Sequence, residues 1–417
     1  MDMEELHRRR QQRQEERRKA QRQFRVLILR LGIAALVLIA VAVLIVTLTR
    51  TRPDSQTPTA QPTQAATQSA QATLPPTSVI RITAVGDLNV TDNVVASGGD
   101  GYDYSDTFLD VIPVLAEADI TALNLEGTLC GAPYGGEDRS APQGLATALS
   151  LAGVDLVQTA NSYSIKKGVS TLAMTRSNLR AAGLETLGTY ATDEEAEEAG
   201  GFTLCTVDGV TVAFVAFTKG MDGMALPAGS SQCVNLLYTD YASNYRQVDT
   251  EGIRAVLRRV EKQAPDIVVA LVHWGSEYND THSESQKEIR DLLLEGGVDA
   301  IIGTHPHYVQ SVDYNREKGT VVAYSLGDFL GDAQRSGTEY SIALHLEITK
   351  DNTTGTASIT DCSYTPLFTV NENGRVRVLR LEQAMSAYAA HALGCVSKET
   401  YDAMAYALER IQARVSE

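Results

Sequence analysis

The chain has 417 residues, 43% of them hydrophobic, and carries a formal net charge of −16 at pH 7. Such an acidic chain is not expected to bind nucleic acid tightly, because affinity for nucleic acid comes largely from Lys and Arg side chains that neutralise phosphates. The acidity is compatible with a cationic ligand or a metal. The five cysteines show no C-x-x-C spacing, so no thiolate zinc site is predicted.

The N-terminal residues predict a membrane anchor. Residues 1–25 form a basic arm, and residues 26–48 are apolar except for Arg30. This apolar length suits a helix that crosses the bilayer, and the preceding Lys/Arg cluster predicts a cytoplasmic N-terminus. A cleaved signal peptide is the alternative, but its apolar core is usually shorter. We expect a single-pass protein of the cell membrane, with its main domain outside the cytoplasm.

Residues 49–78 are rich in Thr, Gln, Ala and Pro and carry little charge. Such a segment cannot bury enough apolar surface to fold, so it is predicted to be a disordered spacer. The basic arm either contacts anionic lipids or a cytoplasmic partner, or is a solvated helix that only sets the topology.

The remaining residues alternate between strand-like and helix-like patterns. The predicted strands are 79–87, 119–127, 155–161, a hairpin over 202–217 that turns at Asp208-Gly209, 266–275, 299–307, 320–329 and 340–349. The predicted helices are 108–119, 144–153, 169–183, 251–264 and 282–297. Buried Val/Ile/Leu-rich strands that alternate with helices predict an α/β architecture. Residues 79–332 form the main predicted domain, and the strands and helices of 333–417 either complete it or form an appendage.

Polar side chains follow many of these strands where each strand ends. The strand-end residues are Asp87, Asn124, Glu126, Asn161, His273, His305, His307 and Asp328. Because the carboxyl ends of strands form the ligand crevice in open α/β sheets, we expect these residues to converge. This mixture of nitrogen and oxygen ligands is typical of a site for Mn, Fe or Zn.

The segment Thr304-His305-Pro306-His307 is the sharpest local motif. Pro306 favours an extended conformation at His305, and residues two apart in an extended segment point the same way. Both imidazoles are therefore expected to face one metal or one anion. Two histidines at an ordinary turn are the alternative for this pair taken alone.

Four further residues have simpler interpretations. Trp274, the only tryptophan, is either a stacking platform for a substrate or a packed aromatic. His345 lies within an alternating strand and is expected to be structural. His282 and His391 are expected to be surface residues.

Six short motifs follow one another along the chain: GD (86–87), NLEG (124–127), AN (160–161), VHWGSEY (272–278), GTHPHYVQ (303–310) and YSLGDF (324–329). This ordered set resembles the CapA family of poly-γ-glutamate and capsule synthesis proteins. The resemblance covers roughly residues 79–332. It implies a metallophosphoesterase-like fold of two facing sheets flanked by helices. It also implies a role in making, exporting or trimming a γ-glutamyl polymer or a related envelope material.

The resemblance also implies roles for individual residues. Its metal-site positions fall on Asp87, Glu126, His273, His305 and His307. Substrate-binding roles are predicted for Asn124, Asn161, Trp274 and Tyr278.

The chain departs from the family pattern after Asn161. Ser162, Tyr163 and Lys166 stand where the family usually has Asn, His and Asp, and Asp328 replaces a usual Asn. In metallophosphoesterase-like sites, the replaced Asn is a metal ligand and the replaced His is a proton donor or a transition-state stabiliser.

Two functions therefore remain open. One is a metal-binding protein of envelope polymer synthesis with weak or specialised hydrolase activity, of the phosphoesterase or amidase type. The other is a non-catalytic subunit that binds the polymer or its precursor, or a membrane synthase or exporter.

Overall fold

The computed structural model describes residues 75–333, 335–372, 374–390 and 396–415. The predicted cytoplasmic arm (1–25), the predicted transmembrane helix (26–48) and residues 49–74 of the predicted spacer lie outside the described residues, as does His391. Among the helices that are described, none is both long enough and apolar enough to cross a bilayer.

The described strands form two sheets, the first with eight strands and the second with six. The strands of the first sheet are β1 (Thr77–Asn89), β2 (Ile120–Glu126), β3 (Leu156–Gln158), β4 (Glu185–Leu187), β11 (Asp328–Leu330), β12 (Tyr340–Asp351), β13 (Ala357–Glu372) and β14 (Arg375–Arg380). Their order is β14-β13-β12-β1-β2-β3-β4, and β11 also pairs with β1.

The strands of the second sheet are β5 (Phe202–Val207), β6 (Val210–Thr218), β7 (Ile267–His273), β8 (Ala300–Thr304), β9 (Val312–Asn315) and β10 (Thr320–Ala323). Their order is β5-β6-β7-β8-β10-β9. Each sheet contains four neighbouring strands that run parallel, namely β1-β2-β3-β4 in the first and β6-β7-β8-β10 in the second. Parallel neighbours bring their carboxyl ends to one edge of each sheet.

Helices separate most of the parallel strands. They are α1 (Asp92–Ala96), α2 (Ile112–Glu117), α3 (Gln143–Ala152), α4 (Val169–Ala181), α5 (Asp193–Ala199), α6 (Thr250–Glu261), α7 (Glu284–Glu295), α8 (Leu381–Ala389) and α9 (Lys398–Val415). The helix predicted over 108–119 is shorter than expected, because the regular helix α2 begins only at Ile112.

Alternating burial explains the layers. On β1, Ile80 and Ile82 pack in the same cluster as Val212 of β6 and Val269 of β7, so this cluster lies between the two sheets. The opposite face of the first sheet packs against α2 and α3. The opposite face of the second sheet packs against α6 and α7. The protein is thus a mixed α/β fold with two sheets and flanking helices.

Local sequence signals explain two of these elements. Asp208 and Gly209 both have positive φ, at 48° and 81°, which is the backbone of a tight hairpin turn between β5 and β6. Ser283 caps α7, and Gln286 returns a bond to the Ser283 backbone, which makes a reciprocal capping box. The predicted hairpin is confirmed at the predicted turn.

The segment predicted as one strand over 320–329 is two strands in different sheets, so that prediction is wrong. β10 belongs to the second sheet, and after Ala323 the chain crosses to the first sheet, where β11 pairs with β1. Gly327 has φ +78°, and its carbonyl accepts a hydrogen bond from the Asp87 backbone at 3.0 Å. A Cβ at Gly86 would lie 1.8 Å from the Gly327 carbonyl oxygen, so this close crossing requires glycine.

The C-terminal strands complete one side of the first sheet. β12 pairs antiparallel with β1 from Thr77 to Ala84, and β13 and β14 extend the sheet. Met404 and Ile411 of α9 are fully buried in the core cluster between the sheets. These contacts tie the residues after 332 to the same core as β1.

Candidate metal centre

The carboxyl ends of the parallel strands of both sheets meet at one edge of the molecule. In the first sheet, Asp87 is in register with Asn124 across β1 and β2. In the second sheet, His273 at the end of β7 is in register with Thr304 at the end of β8. The site therefore draws carboxylates from one sheet and imidazoles from the other.

Asp87 is fully buried and held by two donors. Its Oδ1 accepts a hydrogen bond from Asn124 Nδ2 at 2.5 Å, and its Oδ2 accepts one from the His305 backbone N–H at 2.8 Å. Burial raises the pKa of Asp87 to about 6, although these two donors and His307 oppose the rise. A carboxylate this buried needs a positive partner.

Glu126 at the end of β2 is almost wholly buried, and its carboxylate is only partly satisfied. Its Oε1 lies 3.6 Å from His273 Nε2, whereas its Oε2 has no hydrogen-bond partner. Burial, followed by the charge of Asp87, raises the pKa of Glu126 to about 8. An unpartnered buried carboxylate oxygen is costly unless a cation or a proton joins it.

His273 and His305 lie side by side, with ring centroids 4.5 Å apart. His273 Nε2 lies 3.1 Å from Ser162 Oγ, and its Nδ1 lies 3.3 Å from Thr304 Oγ1. His305 Nδ1 is buried with no hydrogen-bond partner. Burial lowers the pKa of both imidazoles well below the ordinary value, which keeps them neutral and able to ligate a metal.

The environment of His307 differs from that of His273 and His305. Its Nδ1 lies 2.8 Å from Asp328 Oδ1 and 3.9 Å from Asp87 Oδ2. Burial opposes a charge on this ring, but the carboxylates of Asp328, Glu126 and Asp87 outweigh it and raise the pKa of His307 well above the ordinary value. His307 is thus the one histidine of the cluster that lies among acids.

The backbone of the His305-Pro306-His307 motif is not extended, so the conformational part of that prediction is wrong. His305 has φ +93° and His307 has φ +61°. Such values are uncommon for residues other than glycine and cost energy, so the surrounding contacts must impose them. One such contact is the hydrogen bond from the His305 N–H to Asp87. Both imidazoles nevertheless reach the same cluster, with centroids 6.1 Å apart.

The five predicted metal-site residues all converge. Two triads have ligand atoms within 4.8 Å of one another and share Glu126, namely Asp87-Glu126-His307 and Glu126-His273-His305. A third group combines His305 and His307 with the exposed Glu277. The residues fit a divalent metal, because two of the four buried polar side-chain atoms without a hydrogen-bond partner among the described residues, Glu126 Oε2 and His305 Nδ1, lie in this cluster and are of types that ligate metals. The cluster can hold a metal.

The two asparagines predicted to bind substrate are fully buried. Asn161 Nδ2 donates to Asn124 Oδ1 at 3.1 Å and to the Leu125 carbonyl at 2.6 Å. Asn124 in turn donates to Asp87. The structure therefore places both side chains behind the carboxylates, where they orient Asp87, and not on the surface of the cleft.

The two aromatic residues predicted to line the cleft behave differently. Trp274 is fully buried, donates from Nε1 to the Tyr324 carbonyl at 2.8 Å and stacks on the Tyr324 ring. Trp274 is thus a packed aromatic, one of the two interpretations that the sequence left open, and it does not line the cleft. Tyr278 is 38% exposed, with its ring 5.3 Å from that of His307 and beneath the Arg335 guanidinium at 3.9 Å. Tyr278 therefore lies at the mouth of the site.

Sequence reasoning missed two residues of the site. Lys219 directly follows β6, and its Nζ lies 3.5 Å from His305 Nε2, although the strand-end pattern that found His273 also pointed to it. Arg139 lies 4.2 Å above the Tyr163 ring, and no motif marks it in the sequence. Asp328 was among the strand-end residues expected to converge, and it reaches the site through the β10-β11 crossing.

Comparisons with known proteins bear on this site. The model of the bacterial capsule synthesis protein family PGA_cap matches residues 81–333, which is more than half of the chain and includes every residue of the two triads. This chain belongs to the bacterial capsule synthesis protein family. The resemblance to CapA seen in the motifs is confirmed.

Two curated relatives agree. The chain is 27% identical over 199 residues to the PGA biosynthesis protein CapA of Bacillus subtilis, covering 48% of each chain. It is 26% identical over 266 residues to the capsule biosynthesis protein CapA of Bacillus anthracis, covering 61% of this chain and 60% of the relative. The chain thus spans about half to three fifths of the length of these relatives.

The solved structures that align with this chain are more distant. A candidate 5′-nucleotidase from Staphylococcus aureus aligns with a TM-score of 0.45 and 14% identity, covering 80% of this chain and 58% of that one. A phosphatase from Mycoplasma pneumoniae aligns with a TM-score of 0.39 and 13% identity, covering 70% of this chain and 94% of that one.

Proposed function

We propose that this protein acts outside the cytoplasm in the synthesis of capsule, poly-γ-glutamate or another envelope polymer, as a metallophosphoesterase-like domain that binds Mn, Fe or Zn. It carries weak or specialised hydrolase activity, and residues 26–48 anchor it in the membrane. The observation that carries the proposal is the pair of unpartnered buried ligand atoms, Glu126 Oε2 and His305 Nδ1, inside a carboxylate-histidine cluster.

The chain's own residues have separable tasks in this proposal. Asp87, Glu126, His273, His305 and His307 form the cluster within which the metal binds. Asn124 fixes the carboxylate of Asp87, and Asn161 fixes Asn124. A bound divalent metal polarises a phosphoryl or acyl oxygen and activates water. Tyr278, which is partly exposed beside His307, contacts the substrate at the mouth of the site.

A second candidate function, a non-catalytic subunit that binds polymer or a membrane synthase or exporter, is favoured by one observation. Tyr163, which stands where the family usually has a histidine, lies under the Arg139 guanidinium, and burial raises the pKa of its hydroxyl to about 12. Such a hydroxyl is poorly matched to proton transfer near neutral pH. The two candidate functions use the same metal cluster, and they differ in whether the protein hydrolyses a substrate.

Hydrolysis assays separate the two candidates. The full chain is purified in a mild detergent, loaded with Mn²⁺, Fe²⁺ or Zn²⁺, and incubated with phosphodiester substrates and with γ-glutamyl oligomers. Turnover that is lost in Glu126→Gln and kept in the surface variant Glu284→Gln supports the hydrolase. Binding of the oligomers without turnover favours the subunit instead.

The membrane location is tested separately. We expect a reporter fused after residue 417 to be active only outside the cytoplasm, and deletion of residues 26–48 to release the protein from the membrane fraction. A reporter that is active only in the cytoplasm would contradict the proposed orientation.

A further inference from the structure

The two triads that share Glu126 are chemically unequal. The acidic half consists of Asp87, Glu126 and His307, and the histidine half consists of Glu126, His273 and His305. Each half offers three potential ligands within reach of one ion. The difference between them lies in the groups that surround each half.

A lysine ammonium lies against the histidine half. Lys219 Nζ lies 3.5 Å from His305 Nε2 and donates to the Gly275 carbonyl at 2.7 Å. The same ammonium lies 4.7 Å from the centroid of the Tyr245 ring. These contacts fix the charge beside His305, and a divalent ion bound there would face it at short range in a site largely withdrawn from water, where repulsion is strong.

The histidine half also lacks a further buried charged ligand, because Glu277, which lies near His305 and His307, is exposed. Besides Glu126, the side chain that approaches His273 Nε2 is the neutral hydroxyl of Ser162, at 3.1 Å, with the Ser162 backbone N–H at 3.3 Å. A backbone N–H is a hydrogen-bond donor and cannot bind a cation. Ser162 therefore adds no charge to offset the ammonium of Lys219.

The acidic half gains a carboxylate where the histidine half gains an ammonium. Asp328 is almost fully buried, lies in register with Asp87, and places its Oδ1 2.8 Å from His307 Nδ1. Asn89 places its amide nitrogen Nδ2, a donor and not a metal ligand, 3.4 Å from the same His307 nitrogen. Carboxylate oxygens suit Mn²⁺, so the carboxylates make this half suitable for a divalent cation.

We infer that this protein is a one-metal protein: the acidic half binds the divalent ion, and the ammonium of Lys219 stands in for a second ion in the histidine half. The inference rests on the proposed metal-dependent function and assigns Lys219 to it as a positioning residue. A single ion and a fixed ammonium then present two positive centres to an anionic substrate group, such as a phosphate or a carboxylate.

The test is the number of bound Mn²⁺ ions. The full 417-residue chain is purified in a mild detergent, stripped of metal, titrated with Mn²⁺ by calorimetry, and examined by electron paramagnetic resonance. Two variants remove the ammonium of Lys219, namely Lys219→Met and the double variant Lys219→Met/Ser162→Asp, which also adds a carboxylate. Lys350→Met is the matched control, because Lys350 is also partly buried and also donates to a backbone carbonyl, that of Gly209, at 2.9 Å.

We expect the wild-type protein and Lys350→Met to bind one equivalent of Mn²⁺ and to give the six-line spectrum of an isolated ion. The Lys219→Met variant should bind a second equivalent of Mn²⁺, with an affinity at least tenfold higher than that of any weak second binding by the wild type. The double variant should bind it more tightly still, and the spectrum should broaden because the two ions couple magnetically.

The outcomes separate this inference from the proposed function. Two tightly bound, coupled ions in the wild-type protein would overturn the one-metal inference and leave the proposed function standing. A single ion in the wild type and in both folded Lys219 variants would overturn the role of Lys219. Absence of Mn²⁺ binding by the folded wild-type protein would overturn both. The wild-type count tests the inference even if a variant fails to fold.

Discussion

Asp328 and Asp87 lie in register on the parallel strands β11 and β1, and His307 Nδ1 lies 2.8 Å from the first carboxylate and 3.9 Å from the second. This arrangement exists because the chain crosses from the second sheet to the first between Ala323 and Asp328. The crossing concentrates negative charge on one side of the cluster and makes Asp328 part of the candidate metal centre.

Replacement of Asp328 by Asn should weaken metal binding. The Asp328→Asn variant keeps the size of the side chain but removes a buried negative charge beside His307. Loss of such an outer partner of a metal site typically lowers metal affinity about 10–100-fold. Calorimetric titration with Mn²⁺ measures the change, and the exposed Asp313→Asn variant is the control. Equal affinities of Asp328→Asn and wild type would show that Asp328 does not support the metal.

Replacement of Asn124 by Ala should weaken both the fold and the metal site. Asn124 donates to Asp87 Oδ1 and accepts from Asn161 Nδ2, so its loss removes the donor to buried Asp87 Oδ1 and one of the two acceptors of buried Asn161 Nδ2. We expect a loss of about 1–3 kcal/mol in the free energy of unfolding. Urea denaturation of the metal-free protein measures it. The exposed Asn244→Ala variant should change stability by less than about 0.5 kcal/mol. An Asn124→Ala variant as stable as Asn244→Ala would contradict the proposed network.

Replacement of Ser162 by Asn together with Tyr163 by His should raise hydrolase activity. Asn offers an amide oxygen next to His273, and a histidine titrates near neutral pH, unlike the Tyr163 hydroxyl. A well-placed proton-transfer group commonly contributes on the order of 10²–10⁴ in rate. Phosphodiesterase and amidase assays on the metal-loaded variant measure the gain. High activity in the wild type and none gained in the variant would show that Tyr163 is no handicap.

His345 should make stability depend on pH away from the metal site. Its ring lies between Thr83 Oγ1 and Thr365 Oγ1, each 2.9 Å away, and burial lowers its pKa to about 4. The unfolded chain, with a His pKa near 6.5, binds more protons between pH 4 and 6.5, so stability falls as the pH falls through this window. The slope is at most about 1.4 kcal/mol per pH unit.

The His345→Gln variant isolates this contribution. Denaturation of the metal-free protein between pH 4.5 and 7 should give a shallower pH dependence in the variant than in the wild type. Because the carboxylates of the metal cluster titrate equally in both proteins, the difference between the two curves reports His345 alone. Parallel curves would mean that His345 keeps its ordinary pKa in the folded protein.

The sequence predicted much of this site because strand ends can be recognised without a structure. His273 and Glu126 each follow an apolar run, and parallel strands bring such positions to one edge. The hairpin at Asp208-Gly209 was predictable for a similar reason, because Asp-Gly between two apolar runs favours a tight turn.

The parts that sequence reasoning missed depend on contacts between distant segments. Pro306 favours an extended backbone at His305. In the structure His305 instead has a positive φ, and its backbone N–H donates a hydrogen bond to the distant Asp87 carboxylate. Nothing local shows that Trp274 faces the packed outer side of the second sheet. The strand-like pattern of 320–329 does not show that the chain crosses between the two sheets, where Gly86 and Gly327 approach closely.

The metal content of the purified full chain tests the central claim most directly. Elemental mass spectrometry should find nearly one equivalent of Mn, Fe or Zn in the wild-type protein. It should find almost none in the His305→Ala/His307→Ala double variant, while the His282→Ala control keeps the wild-type amount. A folded wild-type protein without metal, even after reconstitution with each ion, would contradict the account and favour a metal-free binding subunit.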